Sequence, residues 1–535
     1  VTARLLTPAG PPRRPAPAEA GAEERAPWRA DLPGSWYRWS LALATLGGAV
    51  LRASHMARPF NRLMAWNEGH YAMIALNFDR YGLFSQHNEL GIDHTFSPGV
   101  PWLIWLAFKA FGPSEWAARL PIVVAGVVAI PLLGVLVRRL FGSEWLGAAS
   151  AAFVAVSPGL VYYAQNVQLD TPSIACGLAG AVLLLRYRDT QRPGHLWGAG
   201  LWVALAVWFK FTAALWYPVF LLWGWSARPP GPAALVRSAA FVGLTALPSA
   251  AWVVSGWLAH EVSRDFYHRM WDLRGLGKAL AEIPLEVEAH LFLPIFLLVL
   301  LGLPLALRAR ETRRDLAVWC APWIVPYLLA PWDSLVNRYY DLPATYLLTA
   351  VGALGAWRVG QSLPRWPARR AAAAVVAAAL VLTVAYDLWD PMTDRVARAM
   401  MPHPPPIDPA PFYSAKVVAA LPRGRTVVDT PQTMFYAGGD PAWIDMTGGD
   451  VRQMIDRETY DYIVLNDYGH GQEPYYPLDA ALRAQFLRHH YVQIAPAAWA
   501  HWRTRVGDLA GLREPSTPYW APWPAWRRPG LEVWW

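Results

Sequence analysis

Long apolar runs separated by short polar joints dominate the first 390 residues of the chain. A helix that spans a bilayer needs roughly 20 mostly apolar residues, with about 17 to 25 tolerated. On that basis the pattern predicts spans near 36–55, 119–138, 145–163, 172–187, 195–210, 212–227, 234–257, 290–307, 315–332, 339–357 and 370–387. The stretch 195–227 is too long for one span, and Lys210 with Pro218 beyond it divides it into a hairpin of two short ones. Residues 98–111 are apolar but short, begin at a proline and contain Lys109, which predicts a helix lying at the outer surface.

The pattern changes at both ends. Residues 1–35 are rich in Pro, Ala and Arg without periodicity, which predicts a disordered cytoplasmic tail. The first apolar stretch lacks a small-residue cleavage site, so it is read as a retained span. The expected transmembrane domain is 36–388, with 56–118 as its first outside loop and 389–411 as a Pro-rich linker. In 412–535, FYSAKVVAAL precedes TVVDT, VRQMIDRET precedes YDYIVLN, and LDAALRAQFLRHH precedes YVQIAP. Helix-like and strand-like segments in alternation predict a small α/β domain, with 518–535 as an irregular Trp/Pro-rich tail. The expected fold is therefore an all-α polytopic membrane core of about eleven helices carrying a small extracytoplasmic α/β domain.

Composition sharpens this. Only 16% of residues are charged, against about 25% in soluble domains. The 31 Trp and 22 Tyr suit the headgroup level of a bilayer. The net charge of +8 comes from clusters between apolar runs, where topology and anionic lipid account for it without nucleic acid. Cys176 and Cys320 both lie in apolar stretches, which leaves no disulfide framework or zinc site. With a cytoplasmic N-terminus, the inside loops hold Arg138/Arg139, Arg186/Arg188/Arg192, Arg228/Arg237, Arg308/Arg310/Arg313/Arg314 and Arg365/Arg369/Arg370. The outside turns 164–171 and 333–338 hold none and one, as the positive-inside rule requires. Counting 98–111 as a span would reverse that distribution downstream. The C-terminal portion is then expected outside, in what the Ala/Arg/Pro-rich composition suggests is a bacterial inner membrane.

The outside loop 56–118 is dense in chemistry-bearing groups: Trp66-Asn67-Glu68-Gly69-His70-Tyr71, Asp79-Arg80, Asp93-His94, and Arg119-Leu120-Pro121 at its end. The stretch WNEGHYAMIALNFDRYG resembles the acidic signature that opens the first outside loop of the C-type superfamily of glycosyltransferases. Within that superfamily the likeness is to the protein O-mannosyltransferase and lipid A aminoarabinose transferase group, glycosyltransferase family 39. DHTFSPGVPWLIWLAFKAFGPSEWAARLP resembles the group's His-Pro-Pro-Leu segment, interfacial helix and turn into Arg-Leu-Pro. QNVQLDTP, AVWFKFTAALWYP and NRYYDLPA resemble three later motifs in the same order, so the resemblance runs over roughly 36–390.

The resemblance implies transfer of a sugar from a polyprenyl-phosphate donor to an acceptor outside the cytoplasm, with inversion at C1. Protein, lipid and glycan acceptors all occur in such a group, and a divalent cation, magnesium or manganese, is used by some members. The absence of a Gly-rich dinucleotide fingerprint in the N-terminal half agrees with a donor that is not a nucleotide sugar. One position departs: Asn67 stands where many relatives have Asp, which leaves Glu68 as the expected base.

The reaction needs a base for the acceptor hydroxyl and cations for the departing phosphate. Candidate catalytic residues are Glu68, Asp170 and His94, and candidate phosphate-binding residues are Lys210, Arg338, Tyr339 and Arg269. Each also has a plainer reading. Glu68 pairs with Arg62 or caps a helix, Asp170 is an N-terminal cap before Thr-Pro, and Lys210 snorkels to the interface. Arg338 and Tyr339 read equally as interface anchors, and Arg269 belongs to a charged, solvated loop. Glu286, Glu288 and His290 resemble a metal cluster only weakly, since Glu286 and His290 at i, i+4 share an ordinary helix face. A transporter of lipid-linked glycans would show internal repeats, which are not seen. A catalytically silent relative acting as a scaffold is the other alternative, kept open by Asn67.

Overall fold

The computed structural model describes residues 32, 35–58, 60, 65–88, 91–92, 94, 96–225, 232–259, 276–329, 339–363 and 366–389, and beyond them 426–428, 435, 444–445, 462–466, 488 and 531–534. The helices in chain order are α1 (Trp36–Ala53), α2 (Ala65–Tyr81), α3 (Gly99–Phe111), α4 (Glu115–Phe141), α5 (Glu144–Val156), α6 (Pro158–Gln165), α7 (Asp170–Thr190) and α8 (Pro193–Phe209). After a 3₁₀ turn (Phe211–Leu215) come α9 (Trp216–Trp225), α10 (Pro232–Leu258), α11 (Leu276–Leu291), α12 (Leu293–Arg308), α13 (Arg310–Cys320), α14 (Val325–Leu329), α15 (Leu342–Gln361) and α16 (Ala368–Trp389). Among the described residues the stretches read as spans fall mainly on helix.

Three of the described helical segments, Glu115–Phe141, Ser238–Leu258 and Ala368–Asp387, are long and apolar enough to cross a bilayer alone. Two bent pairs qualify together, α5 with α6 at 58° and α12 with Thr312–Leu329 at 119°. What the outer surfaces present is equally telling. Trp36, Trp39, Leu43, Leu46 and Val50 form one stripe along α1, and every one of them is more than 60% exposed. So large an uncovered apolar stripe belongs in hydrocarbon rather than water.

Local sequence sets the ends and the breaks. Ser114 and Ser143 accept hydrogen bonds from the N–H groups of Ala117 and Leu146, capping α4 and α5. Gly142 takes φ 65° between them, the left-handed conformation that lets α4 stop and α5 turn back. The run 145–163, expected as one span, is two helices. Pro158 has no N–H and forces Ser157 out of the helical region, to ψ 117°. The run 315–332 is likewise divided, with Pro322 in a 3₁₀ turn after α13. Against α15, α12 packs backbone to backbone: a Cβ on Gly302 would run into the Val351 carbonyl, and one on Gly355 into that of Leu298.

Beyond the helices, β1 (His87–Asn88) and β2 (Gly91–Ile92) form a small antiparallel ribbon in the first outside loop. A four-stranded sheet in the order β4-β3-β5-β6 contains β3 (Thr426–Val428), β4 (Ile444–Asp445), β5 (Tyr462–Asn466) and β6 (Leu531–Trp534). β3 pairs parallel with β4 and β5, while β5 pairs antiparallel with β6. The tail read as irregular thus includes a strand, Leu-Glu-Val-Trp. The segments read as helices between these strands (apart from Arg488), the tail 1–35 (apart from Leu32 and Ser35) and the linker 389–411 (apart from Trp389, which ends α16) lie outside the described residues.

Candidate active site

Two ion pairs organise the polar face that the sequence places outside. The first joins α2 to α4. Arg119 Nε donates to Glu68 Oε1 at 2.7 Å and Nη2 to Oε2 at 2.9 Å, and the Val167 N–H adds a third bond to Oε1 at 3.1 Å. Both partners are sealed, Glu68 at 0% and Arg119 at 3% exposure. Arg119 Nη1 also donates to the carbonyls of Met56 (2.9 Å) and Arg58, and its guanidinium lies 4.9 Å from the centre of the Phe60 ring. Three N–H donors thus meet one carboxylate, and through Arg119 the pair ties four chain segments together. Arg119 meets both carboxylate oxygens at once, as the fork geometry of its guanidinium allows, while Arg62, the partner suggested by proximity in sequence, lies outside the described residues.

The second pair joins α7 to the end of α8. Lys210 Nζ donates to Asp170 Oδ1 at 2.6 Å. The same ammonium stands 4.1 Å from the ring centre of Tyr339 and 5.0 Å from that of Tyr340. Lys210 ends α8 in an extended conformation, φ −154° and ψ 123°, before the 3₁₀ turn begins. A cation at a helix C-terminus is favoured by the helix dipole, which explains a lysine here. Its side chain keeps 13% exposure and that of Asp170 9%, against 1% for Glu68.

Between the pairs runs α6. Its Tyr162 and Gln165, with Asn166, line a narrow cleft shared with His55, Arg58 and Arg119. Its Tyr163 faces the other way, with ring centres 6.1 Å from Tyr339 and 5.5 Å from His290. His290 Nδ1 lies 3.1 Å from Asp341 Oδ2, which also accepts from Thr345 Oγ1 at 2.8 Å. On the same face of α11, Glu286 Oε2 accepts from Tyr327 Oη at 2.5 Å. Thus the Glu286/His290 face is real, and each residue has a hydrogen-bond partner of its own there. Among the described residues no three His, Cys, Asp or Glu side chains converge as metal ligands.

The expected residues are therefore partly gathered. Asp170, Lys210 and Tyr339 meet. Glu68 is close to the same loop through Val167 but is occupied by Arg119. His94 stacks on Trp252 of α10, ring centres 4.3 Å apart, and Trp252 Nε1 donates to the neighbouring Phe96 carbonyl at 3.1 Å. Asn67 sits half-buried at the start of α2. Arg338 and Arg269 lie outside the described residues. Sequence reasoning gave no role to Arg119 or Asp341 and weighed His290 only as a weak metal ligand, although a polar residue inside an apolar run was the available signal for each. At the rim, Asp79 accepts from Lys109 Nζ at 2.8 Å and Trp105 Nε1 at 2.8 Å, and these bonds hold its carboxyl below the usual carboxylate range.

The sequence profile of dolichyl-phosphate-mannose-protein mannosyltransferase matches residues 93–255, a stretch that includes His94, Asp170 and Lys210. No curated protein matches by sequence. Among solved structures, ArnT from Cupriavidus metallidurans bound to undecaprenyl phosphate is similar with a TM-score of 0.55 and 14% identity, over 81% of this chain and 94% of that one. The apo form of that protein gives a TM-score of 0.54 and 15% identity, over 81% and 93%. The archaeal oligosaccharyltransferase AglB from Archaeoglobus fulgidus, in complex with an inhibitory peptide and a dolichol-phosphate, gives 0.53 and 12%, over 81% and 69%. At such identities the likeness is one of fold, and the fold of the C-type glycosyltransferases is the one this chain adopts.

Proposed function

We propose that this protein transfers a glycosyl group from a polyprenyl-phosphate-linked donor to an acceptor at the outer face of a membrane, as a bacterial inner-membrane enzyme with its C-terminal domain extracytoplasmic. The observation that carries the reading is the Asp170–Lys210–Tyr339 arrangement: a cation fixed by a carboxylate and an aromatic face at the end of an apolar helix. A lipid phosphate needs such a fixed positive charge beside hydrocarbon, where its phosphate stands at the interface and its tail lies along exposed apolar helices. The binding of undecaprenyl phosphate and dolichol-phosphate by proteins of the same fold supports it.

In this reading the acceptor hydroxyl attacks the sugar C1 and the C1–O bond to the phosphate breaks, with inversion. The electron pair leaves with the polyprenyl phosphate, whose added negative charge is balanced by Lys210. The acceptor's proton passes to a carboxylate, and the geometry favours Asp170 over Glu68 for that part. Asp170 has one side-chain partner, which the phosphate can share, whereas both oxygens of Glu68 are taken by Arg119 and the Val167 N–H. Glu68 then acts as a frame residue, and the expectation that it replaces an aspartate missing at Asn67 is set aside. His94, packed against Trp252, is assigned contact with the acceptor or the phosphate in this reading.

The test is a transfer assay on the purified full chain in lipid, with radiolabelled polyprenyl-phosphate sugars offered one at a time. Release of free polyprenyl phosphate that is lost in Lys210→Gln supports the reading. Binding of donor without release from any sugar supports the scaffold reading instead, which Asn67, a residue unable to take a proton, specifically favours.

A further inference from the structure

Arg52, in the last turn of α1, is 0% exposed. A guanidinium sealed inside the helical core is costly and calls for a reason. Its Nη1 donates to Ala155 O at 3.1 Å and Gly48 O at 3.2 Å, and Nη2 donates to Val154 O at 3.0 Å. Val154 and Ala155 belong to the last turn of α5, immediately before the bend into α6. In an unbroken helix the Val154 carbonyl would accept from the N–H of residue 158. That residue is Pro158, which has none. The charged fork of α1 therefore supplies the donor that the proline withholds, at the negative end of the α5 dipole.

Space for this is built in. A Cβ on Gly48 would lie 3.0 Å from Arg52 Nη1, and one on Gly126 of α4 would lie 3.2 Å from Nε. The far end of α6 is tied to the same turn of α1: Gln165 Nε2 donates to Leu51 O at 2.5 Å, and Gln165 Oε1 is 3.3 Å from His55 Nδ1. Both ends of α6 thus hang on α1, and α6 carries Tyr162 and Gln165 to the cleft, Tyr163 to Tyr339, and the following Val167 N–H to Glu68.

The geometry points to Arg52 as a positioning residue: by capping the α5 end that Pro158 leaves open, its guanidinium fixes the 58° bend that lays α6 across the site. It touches neither donor nor acceptor. This inference rests on the transfer reading for its activity readout only. A reacting group misplaced by about 1 Å costs on the order of 100-fold in rate, so loss of the bend should act on turnover more than on donor binding.

The experiment compares the full chain in lipid as wild type, Arg52→Lys, Arg52→Met, and Arg52→Met combined with Pro158→Ala, reading Tm, turnover and binding of polyprenyl phosphate. The proline change returns an N–H to the Val154 carbonyl and makes Arg52 dispensable for folding. The expected result is a lower Tm in Arg52→Met and a Tm restored in the double variant, with turnover still down by about 100-fold and lipid-phosphate binding kept. Arg52→Lys, with its charge kept and its fork lost, should fold and fall between the two in turnover. A double variant that recovers turnover together with Tm would reduce Arg52 to a structural group and overturn the inference, as would a double variant whose Tm is no higher than that of Arg52→Met. If the wild type releases no polyprenyl phosphate, the transfer reading fails, while the Tm comparison still decides whether Arg52 and Pro158 are partners.

Discussion

Glu68–Arg119 and Asp170–Lys210 are both buried ion pairs on one face of the molecule, and they differ in what is left over. In the first, two oxygens meet a bidentate fork and a backbone N–H, and the arginine's remaining nitrogen is spent on backbone carbonyls. In the second, one lysine nitrogen meets one oxygen and two aromatic faces, with part of each side chain still reachable. The fork holds four segments of chain together, while the point charge can exchange one anionic partner for another. Burial alone does not mark a catalytic group; the number of unclaimed bonding positions separates a frame from a working site.

The largest expected effect lies at the second pair. Replacing Asp170 by Asn should lower turnover by about 100-fold or more, the usual contribution of a positioned base, while polyprenyl phosphate still binds. Lys210→Met should lose both, since the cation touches the phosphate before and during the reaction; binding titrations separate the two variants. Next comes the frame. Glu68→Gln leaves Arg119 buried without a counter-charge, and breaking such a pair costs about 3–5 kcal/mol, seen as a fall in thermal stability. Glu68→Gln with Arg119→Met should cost less than the sum of the single changes, which a double-mutant cycle measures. If the cycle shows no coupling, the two pairs do not differ in the way argued.

Smaller effects sharpen the contrast. Tyr339→Leu removes the aromatic face over Lys210 and should weaken donor binding by roughly 0.5–2 kcal/mol, whereas Tyr339→Phe should keep most of it. The rim pair Asp79–Lys109 is half-exposed, and its removal in Asp79→Asn should cost less than about 1 kcal/mol. The sign of its pH dependence follows from the lowered carboxyl: the stabilisation is fully present above the ordinary aspartate range and fades as pH falls through the lowered value. Thermal melts of wild type and Asp79→Asn should therefore converge in acid and stay apart at neutral pH.

Much of the helical frame was legible because apolar length is a local property: within the described residues the predicted spans fall mainly on helix. The two division points at Pro158 and Pro322 were visible as prolines, yet an apolar run reads through them, and only the geometry reveals a 58° bend at the first. The site was legible as a set of suspects. Asp170, Lys210 and Tyr339 were named from three separate loops, and tertiary packing brings them within a few ångströms. The partner of Glu68 was not legible, because Arg119 lies 51 positions away and belongs to the motif at the loop's far end. Arg52 escaped notice for the same reason, since two of its acceptors lie about a hundred residues downstream and its inferred role depends on Pro158 just beyond them.

The measurement that decides most is turnover of a radiolabelled polyprenyl-phosphate sugar by Asp170→Asn and Glu68→Gln, each shown by Tm and lipid-phosphate binding to be folded. The account predicts that folded Asp170→Asn binds the lipid phosphate and scarcely turns over, while the fraction of Glu68→Gln that folds keeps turning over. A folded Glu68→Gln that is inactive, beside an Asp170→Asn that still transfers sugar, would contradict the account and return the proton to Glu68.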